Sequence, residues 1–381
     1  MRKKLTAFFT AICLLLPSVG CGNNDRNVTE SIVPAESAVI SVDDDDDNTE
    51  EKEQATLEYW TEGSPAAESI KRFVKAVCDE STDSYLPPDK RIAVFDMDGT
   101  LCGERFPTYF DNCLMFHRLV HDDTYAAPAD DKAYAQAYEN AMYTGGTEPD
   151  YDKSSGQILA EAFAGFTVDE YRAYVRDFMK EPAGGFEGMT YGEGFFKPMV
   201  SLVEYLAKND FRVYVCSGSE RNMVREYTED TLGDWVLPCN IIGTTFSLTA
   251  EQQGNTAGRD YTFAPDDRVL YGGDMLTKNV KMNKVDAIVN EIGEVPVLAF
   301  GNSSGDFSMA QYTVQNGGRA YMLLCDDTER DHGDIDTANE FAEKCSALGF
   351  ETVSMKNEFD TIYGDNVKCV EYQQEKSAPA A

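Results

Sequence analysis

Five strand-like apolar runs punctuate the chain, at residues 92–95, 211–216, 241–248, 295–300 and 319–324, and the hydrophobic residues between them fall at helical spacing. The first run is apolar on both faces rather than alternating, which marks a strand buried inside a parallel sheet. Ser64 followed by Pro65 offers an N-cap and a first-turn proline, and Ile70, Phe73, Val74 and Val77 then share one face of a helix. With Leu57 and Trp60 ahead of it, this helix is expected to pack on the core beside the first strand. Residues 196–206 and 219–232 read as helices, and another runs through Met309 and Tyr312. Strands alternating with helices predict an α/β fold on a parallel, doubly wound sheet. Residues 249–267, rich in Gly, Gln and Asp, read as a surface excursion.

Residues 104–195 separate the first two strands and keep a helical rhythm: Tyr134 with Tyr138, Ala160 with Phe163, and Tyr171 with Val175 and Phe178. Gly145-Gly146 and Gly184-Gly185 break that rhythm. His117 and His121 stand four apart there, but no third ligand accompanies them at suitable spacing, so an ordinary helix face explains them better than a metal site.

The first strand ends in Asp96 and Asp98, followed by Gly99 and Thr100. Ligands of open α/β sheets bind beyond the carboxyl ends of the strands, which puts both acids at the mouth of a site. An Asp-Gly turn leaving a strand would have the same letters. Further along, Val213-Tyr214-Val215-Cys216-Ser217-Gly218 ends another strand in a hydroxyl, ahead of the helix read over 219–232. The free amides of that helix N-terminus suit a phosphate oxygen. Lys284 opens the amphipathic run 285–292, and Gly301-Asn302-Ser303-Ser304-Gly305-Asp306 follows the strand 295–300.

These four segments, in this order, resemble the four motifs of the haloacid dehalogenase (HAD) superfamily, in the phosphoserine phosphatase-like branch that carries a second Asp. The resemblance runs from about residue 57 to 365. It implies a Rossmann-like core from residues 56–103 and 196–370, with 104–195 forming a helical cap inserted after the first strand. It also assigns roles. Asp96 is the nucleophile that takes up the phosphoryl group, and Asp98 is the acid and base. Ser217 hydrogen-bonds the phosphoryl group, with Thr100 and Gly218 beside it as substrate contacts. Lys284 neutralises charge between Asp96 and the phosphate; Lys278 and Lys281 compete for that role, and Lys284 is preferred because it starts the helix whose apolar face is Ile288 and Ile292. The implied cofactor is Mg²⁺, held by Asp96, the backbone carbonyl of Asp98, Asp306 and the loop at Asn302. Asn302 stands where many relatives carry Asp, so this site has one negative charge fewer and is expected to bind metal more weakly.

Charge and the chain ends change the picture in two ways. Lys and Arg number 33 against 67 Asp and Glu, a formal net charge of −34, which argues against a nucleic-acid phosphate surface as partner and calls for a local cation at any phosphate site. Residues 1–20 have a basic start and an apolar stretch too short to span a bilayer, the pattern of a signal peptide. Cys21 follows a small residue there, resembling a lipidation site, although Ser18 departs from the usual Leu. The expected location is outside the cytoplasmic membrane, anchored by lipid on Cys21. Residues 21–55, with their run of five Asp at 43–47, read as an acidic tether, and residues 371–381 as a polar tail. Ten cysteines less Cys13 and Cys21 leave eight, an even number that permits disulfides in an exported protein.

The expected activity is therefore hydrolysis of a small phosphomonoester through an aspartyl-phosphate. A phosphotransferase or mutase would share that intermediate. A lipoprotein that binds a phosphorylated ligand without turnover would have no use for Asp98 and Lys284.

Overall fold

The computed structural model describes residues 56–372. The expected leader, Cys21, the acidic tether and the tail from residue 373 lie outside the described residues. The strands are β1 (Ile92–Phe95), β2 (Phe186–Glu187), β3 (Arg212–Glu220), β4 (Ile241–Ala250), β5 (Val269–Thr277), β6 (Leu298–Gly301), β7 (Arg319–Leu324), β8 (Glu351–Ser354) and β9 (Lys368–Cys369). The helices are α1 (Pro65–Cys78), α2 (Phe110–Phe116), α3 (Ala129–Tyr143), α4 (Ser155–Ala162), α5 (Val168–Phe178), α6 (Lys197–Lys208), α7 (Arg221–Leu232), α8 (Met282–Ala287), α9 (Phe307–Gln315), α10 (Ile335–Ala347) and α11 (Met355–Glu358).

Seven strands make one sheet in the order β5-β4-β3-β1-β6-β7-β8. All neighbours pair in parallel except β4 with β5, while β2 and β9 form a separate antiparallel ribbon. The chain winds from β1 outward to β3 and β4, then returns to β6 and winds the other way. The reversal lies between β1 and β6, where doubly wound sheets open a crevice for ligands.

Side-chain alternation splits each central strand between two cores. Ala93 and Phe95 join Val213, Val215, Leu298 and Phe300 on one face; Ile92 and Val94 join Tyr214, Cys216 and Ala299 on the other. Helices α6 and α7 cover the first face through Leu202, Met223 and Tyr227, and α9 and α10 cover the second through Met309 and Cys345. That is why residues 92–95 are apolar throughout. Phe95 stacks on Phe300 at 4.3 Å between ring centroids, and Phe300 on Tyr321 at 5.4 Å, so one aromatic row fastens β1, β6 and β7.

Helix α1 starts where Ser64 and Pro65 predict, with the Ser64 hydroxyl accepting from the Ala67 amide. Its position differs from the expectation. Ser69 bonds Tyr321 on β7 and Glu351 on β8, and Ser64 donates to Glu358 on α11 at 2.7 Å, so the helix is fixed toward the β7–β8 edge rather than beside β1. The small polar residues on α1 decide this, and a hydrophobic pattern does not register them.

The strand expected over 211–216 continues to Glu220, and α7 begins only at Arg221. Pairing with β4 shifts register between Cys216 and Glu220, so Ser217, Gly218 and Ser219 travel in an irregular strand extension. They do not form the N-terminal turn of the helix. That end is capped by Glu220, whose carboxylate accepts from the Met223 amide at 2.8 Å. Residues 104–195 carry α2 to α5, as their spacing predicts. Gln157 of α4 donates to the Gly273 carbonyl of β5, and Arg172 and Arg176 of α5 pair with Glu226 and Glu229 of α7. All eight cysteines from Cys78 to Cys369 are free thiols, and Cys216 is buried as its strand position predicts. No helix among the described residues is long and apolar enough to cross a membrane.

Candidate active site

The turn after β1 is tight because the amides of Thr100, Leu101 and Cys102 all converge on the Met97 carbonyl, at 3.1, 2.8 and 3.2 Å. Gly99 sits at φ +74°, a left-handed conformation that costs little only for glycine. The Asp-Gly sequence is thus a turn and, at the same time, the carrier of the two acids.

Asp96 directly follows β1, with its own amide bonded to the Phe300 carbonyl of β6. Lys284 Nζ lies 2.6 Å from Asp96 Oδ1 and 2.7 Å from Asp306 Oδ1, with its side chain 1% exposed. Burial, followed by the like charge on Asp306, pushes Asp96 up to about 7 against the pull of Lys284. The lysine itself is raised by Asp306 and Asp96, which outweigh its burial and keep it charged. Of the three competing lysines, the structure brings Lys284 to Asp96. Lys278 lies instead 3.6 Å from Asp111 of α2. The other oxygen of Asp306, Oδ2, accepts from the Asn302 and Ser303 amides at 3.1 and 3.0 Å and from the Ser303 hydroxyl at 3.2 Å. Asp306 therefore both shapes the 301–306 loop and anchors the lysine.

Asp98 is held differently. Ser219 Oγ donates to its Oδ2 at 2.7 Å, while Oδ1 is buried without a partner. Burial, then the charges on Asp111 and Asp96, raise this carboxyl well above the usual range and favour its protonated form. Two carboxyls two residues apart have thus been given different surroundings, one beside a lysine and one beside a hydroxyl.

Ser217 is fully buried; its Oγ accepts from the Ser219 amide at 3.0 Å and its carbonyl from Asn279 Nδ2 at 3.0 Å. Gly218 packs against Val280 on the same segment, which also brings in Lys284. Thr100 Oγ1 donates to Asn302 Oδ1 at 3.4 Å. The Asn302 side chain also bonds the half-buried Glu104 carboxyl, which desolvation pushes up to about 7.

Glu104, Asp111 and Ser219 are site residues that the sequence reading missed. Ser219 carried a signal, since it repeats the hydroxyl of Ser217 two residues on, the same period as the two acids across the sheet. Glu104 and Asp111 belong to the insertion, and nothing in helical spacing marks them. His117 and His121 take separate partners: His117 bonds the Tyr174 hydroxyl at 2.8 Å and His121 pairs with Glu139 at 2.7 Å. They line a cleft of about 970 Å³ that contains none of the acids at the β1 end. The candidate site itself is closed, with Asp96 and Asp98 only 6% and 7% exposed.

A parallel sheet reversing beside β1, with an acid pair at its end and a lysine drawn in from the third segment, defines a hydrolase of the haloacid dehalogenase kind. The model of the haloacid dehalogenase-like hydrolase family matches residues 93–311, more than half of the chain, and the chain belongs to that family. No curated protein matches the chain. Among solved structures, a conserved protein of unknown function from Anaerococcus prevotii is 13% identical with a TM-score of 0.48, over 76% of this chain and 91% of that one. Cytosolic 5'-nucleotidase IIIB, solved with cytidine, is 13% identical with a TM-score of 0.42, over 76% and 84%. A phosphoserine phosphohydrolase-like protein from Francisella tularensis is 13% identical with a TM-score of 0.36, over 69% and 94%.

Members of this family generally depend on Mg²⁺. The residues present fit such an ion. Their donors are hard oxygens, their carboxyls outnumber the lysines, and Asp98 Oδ1 is a buried oxygen with nothing bonded to it. Among the described residues no three or more His, Cys, Asp and Glu side chains form a ready-made cage. Mg²⁺ does not require one, because it keeps several waters and takes one or two carboxylates.

Proposed function

We propose that the chain is a Mg²⁺-dependent phosphatase that hydrolyses a small phosphomonoester through an aspartyl-phosphate on Asp96. The observation that carries this is the division between the two acids: Lys284 holds Asp96 in place at 2.6 Å, while Asp98, two residues on, is bonded to the Ser219 hydroxyl at 2.7 Å in surroundings that favour its protonated form. A nucleophile must be held in line with its target, whereas a general acid must arrive protonated.

In the first step an Asp96 oxygen attacks phosphorus, the bond to the alcohol oxygen breaks, and Asp98 gives that oxygen its proton. In the second, water attacks the same phosphorus, Asp98 takes the water's proton, and the bond to Asp96 breaks to release phosphate. Lys284 offsets charge as the phosphoryl group nears Asp96, and the Ser217, Gly218 and Thr100 segments line its approach. Asp96, the Asp98 carbonyl and the loop from Asn302 to Asp306 would hold Mg²⁺, which would supply charge neutralisation for the phosphoryl oxygens. Because the acids are enclosed, residues 104–195 act as a cap that must shift to admit substrate. The Arg172 and Arg176 pairs to α7 are then the contacts that open and close. We also propose that the protein is exported and held at the membrane through lipid on Cys21.

A panel of phosphomonoesters assayed with Mg²⁺, and again with chelator, tests the activity. Phosphate release that requires Mg²⁺ is expected. Turnover that persists in excess chelator would sink the metal assignment, and transfer to added alcohols outrunning hydrolysis would make the protein a phosphotransferase.

A further inference from the structure

We propose that Glu104 is an anionic ligand of the divalent cation and supplies the negative charge that Asn302 does not. The inference rests on the Mg²⁺-dependent reading above and adds a residue to it.

The argument starts from the charges already committed. Asp306 has one oxygen on Lys284 at 2.7 Å and the other on three donors of its own loop, so its lone pairs are filled from within the protein. Asp96 Oδ1 is likewise bonded to Lys284. Lys284 cancels one of these two charges. The remaining side chain of the loop that faces the site, Asn302, is neutral, and its Oδ1 accepts from Thr100. A doubly charged ion that dehydrates reluctantly is left with one net carboxylate.

Glu104 lies where the missing charge is needed. Its carboxyl is half-buried and bonded to the Asn302 side chain, and the charges of Arg105, Asp96 and Asp306 all reach it there. Among the described residues it forms no ion pair with lysine or arginine; the neighbouring Arg105 guanidinium is turned to the His332 carbonyl at 2.9 Å. Gly99 explains how the groups come together. A Cβ on Gly99 would stand 1.9 Å from Asn302 Nδ2 and 2.7 Å from Glu104 Cδ, so the amide and the carboxyl meet in the space that glycine leaves. Gly99 directly follows the Asp98 carbonyl assigned to the ion. A second, independent sign of an absent partner is Asp98 Oδ1, buried and unpaired on that same residue. A carboxylate drawn in from solvent without a direct ion-pair partner, beside an unpaired carboxyl oxygen, is a costly arrangement unless a cation completes it.

The test is calorimetric titration of the metal-stripped full chain with Mg²⁺, without substrate, on the wild type, Glu104→Gln, Asn302→Asp and the double variant. Glu104→Gln is expected to weaken Mg²⁺ binding by about 10- to 100-fold. Asn302→Asp is expected to tighten it, and the double variant, which restores the count of carboxylates, to return close to wild type. Thermal melts in chelator establish that each variant folds; should Glu104→Gln alone fail, the double variant must still bind more weakly than Asn302→Asp. Equal affinity of Glu104→Gln and wild type overturns the inference. A Glu104→Gln that raises KM for a cationic substrate without changing Mg²⁺ affinity overturns it too, because Glu104 would then be a substrate contact. In both cases wild type still binds Mg²⁺ and turns over, so the phosphatase reading survives. A wild type that takes up no divalent ion sinks that reading and this one with it.

Discussion

Ser219 Oγ donates to Asp98 Oδ2 at 2.7 Å, tying the ends of β3 and β1 together and leaving Asp98 Oδ1 buried and unpartnered. One hydrogen bond steadies the carboxyl without solvating it. The bond favours the ionised form, but burial and the nearby charges of Asp111 and Asp96 outweigh it. The acid therefore stays protonated through the range in which an ordinary aspartate would have ionised.

The alkaline limb of kcat/KM is expected to follow Asp98, since the first step needs its proton and is lost as pH rises through the raised pKa. Ser219→Ala removes an interaction that lowers that pKa, so the limb should move to higher pH, by about one unit for each 1.4 kcal/mol of bond lost. Asp111→Asn removes a repelling charge and should move the limb the other way. Ser219→Thr keeps the hydroxyl and should stay near wild type. Profiles of kcat/KM for these variants check this; limbs that do not move in either direction would detach Asp98 from the first step.

Lys284 is expected to matter to folding as well as to chemistry. Lys284→Met leaves Asp96 and Asp306 buried without their shared cation, and breaking such a pair costs about 3–5 kcal/mol. Lys278→Met, at a side chain 40% exposed and 3.6 Å from Asp111, should change stability by only about 0.5 kcal/mol. Denaturant unfolding of both variants separates the two lysines. Similar losses would mean that the 2.6 Å contact with Asp96 does not organise the site.

What the sequence made visible divides along a physical line. Residues 92–95 announce their own burial because both faces are apolar, and Lys284 could be chosen over Lys278 from the helix that follows it. β5 escaped because its side chains are mostly exposed and Gly272 and Gly273 interrupt any alternation. The start of α7 escaped because Ser217-Gly218-Ser219 has turn letters yet travels in an extended strand, with Glu220 as the cap. The docking of α1 depends on Ser69 and Ser64 finding partners some 250 to 290 residues away. Glu104 became a candidate only once Gly99 was seen to bring it against Asn302. Single polar contacts across the fold leave no periodic trace, and the site is made largely of them.

The location is expected to depend on Cys21. Wild type should partition with membranes in fractionated cells, whereas Cys21→Ser should be processed differently or released. Protease should trim the acidic stretch between residues 21 and 55 with the phosphatase activity retained. A wild type recovered wholly in the soluble fraction would end the anchor proposal and leave the catalytic one untouched.

The two acids are expected to fail in different ways. Asp96→Asn should abolish turnover on every substrate, because an amide cannot form the phosphoenzyme. Asp98→Asn should depend on the leaving group. An alkyl phosphate needs its departing oxygen protonated, and losing the acid should slow that step by about 10²- to 10⁴-fold. An aryl phosphate with an acidic phenol leaves without help, so its first step should suffer much less. The second step still lacks a base to draw the proton from water, so it should be slow whichever alcohol has left. The variant should therefore release phenol in a rapid burst close to one equivalent, followed by slow turnover, while phosphate accumulates on Asp96. Rapid-quench kinetics read the burst, and mass spectrometry of the quenched protein reads the covalent phosphate on the peptide containing Asp96. Equal losses for alkyl and aryl substrates, with no phosphate trapped, would show that Asp98 is neither the acid nor the base, and that its hydrogen bond to Ser219 serves the turn after β1 alone.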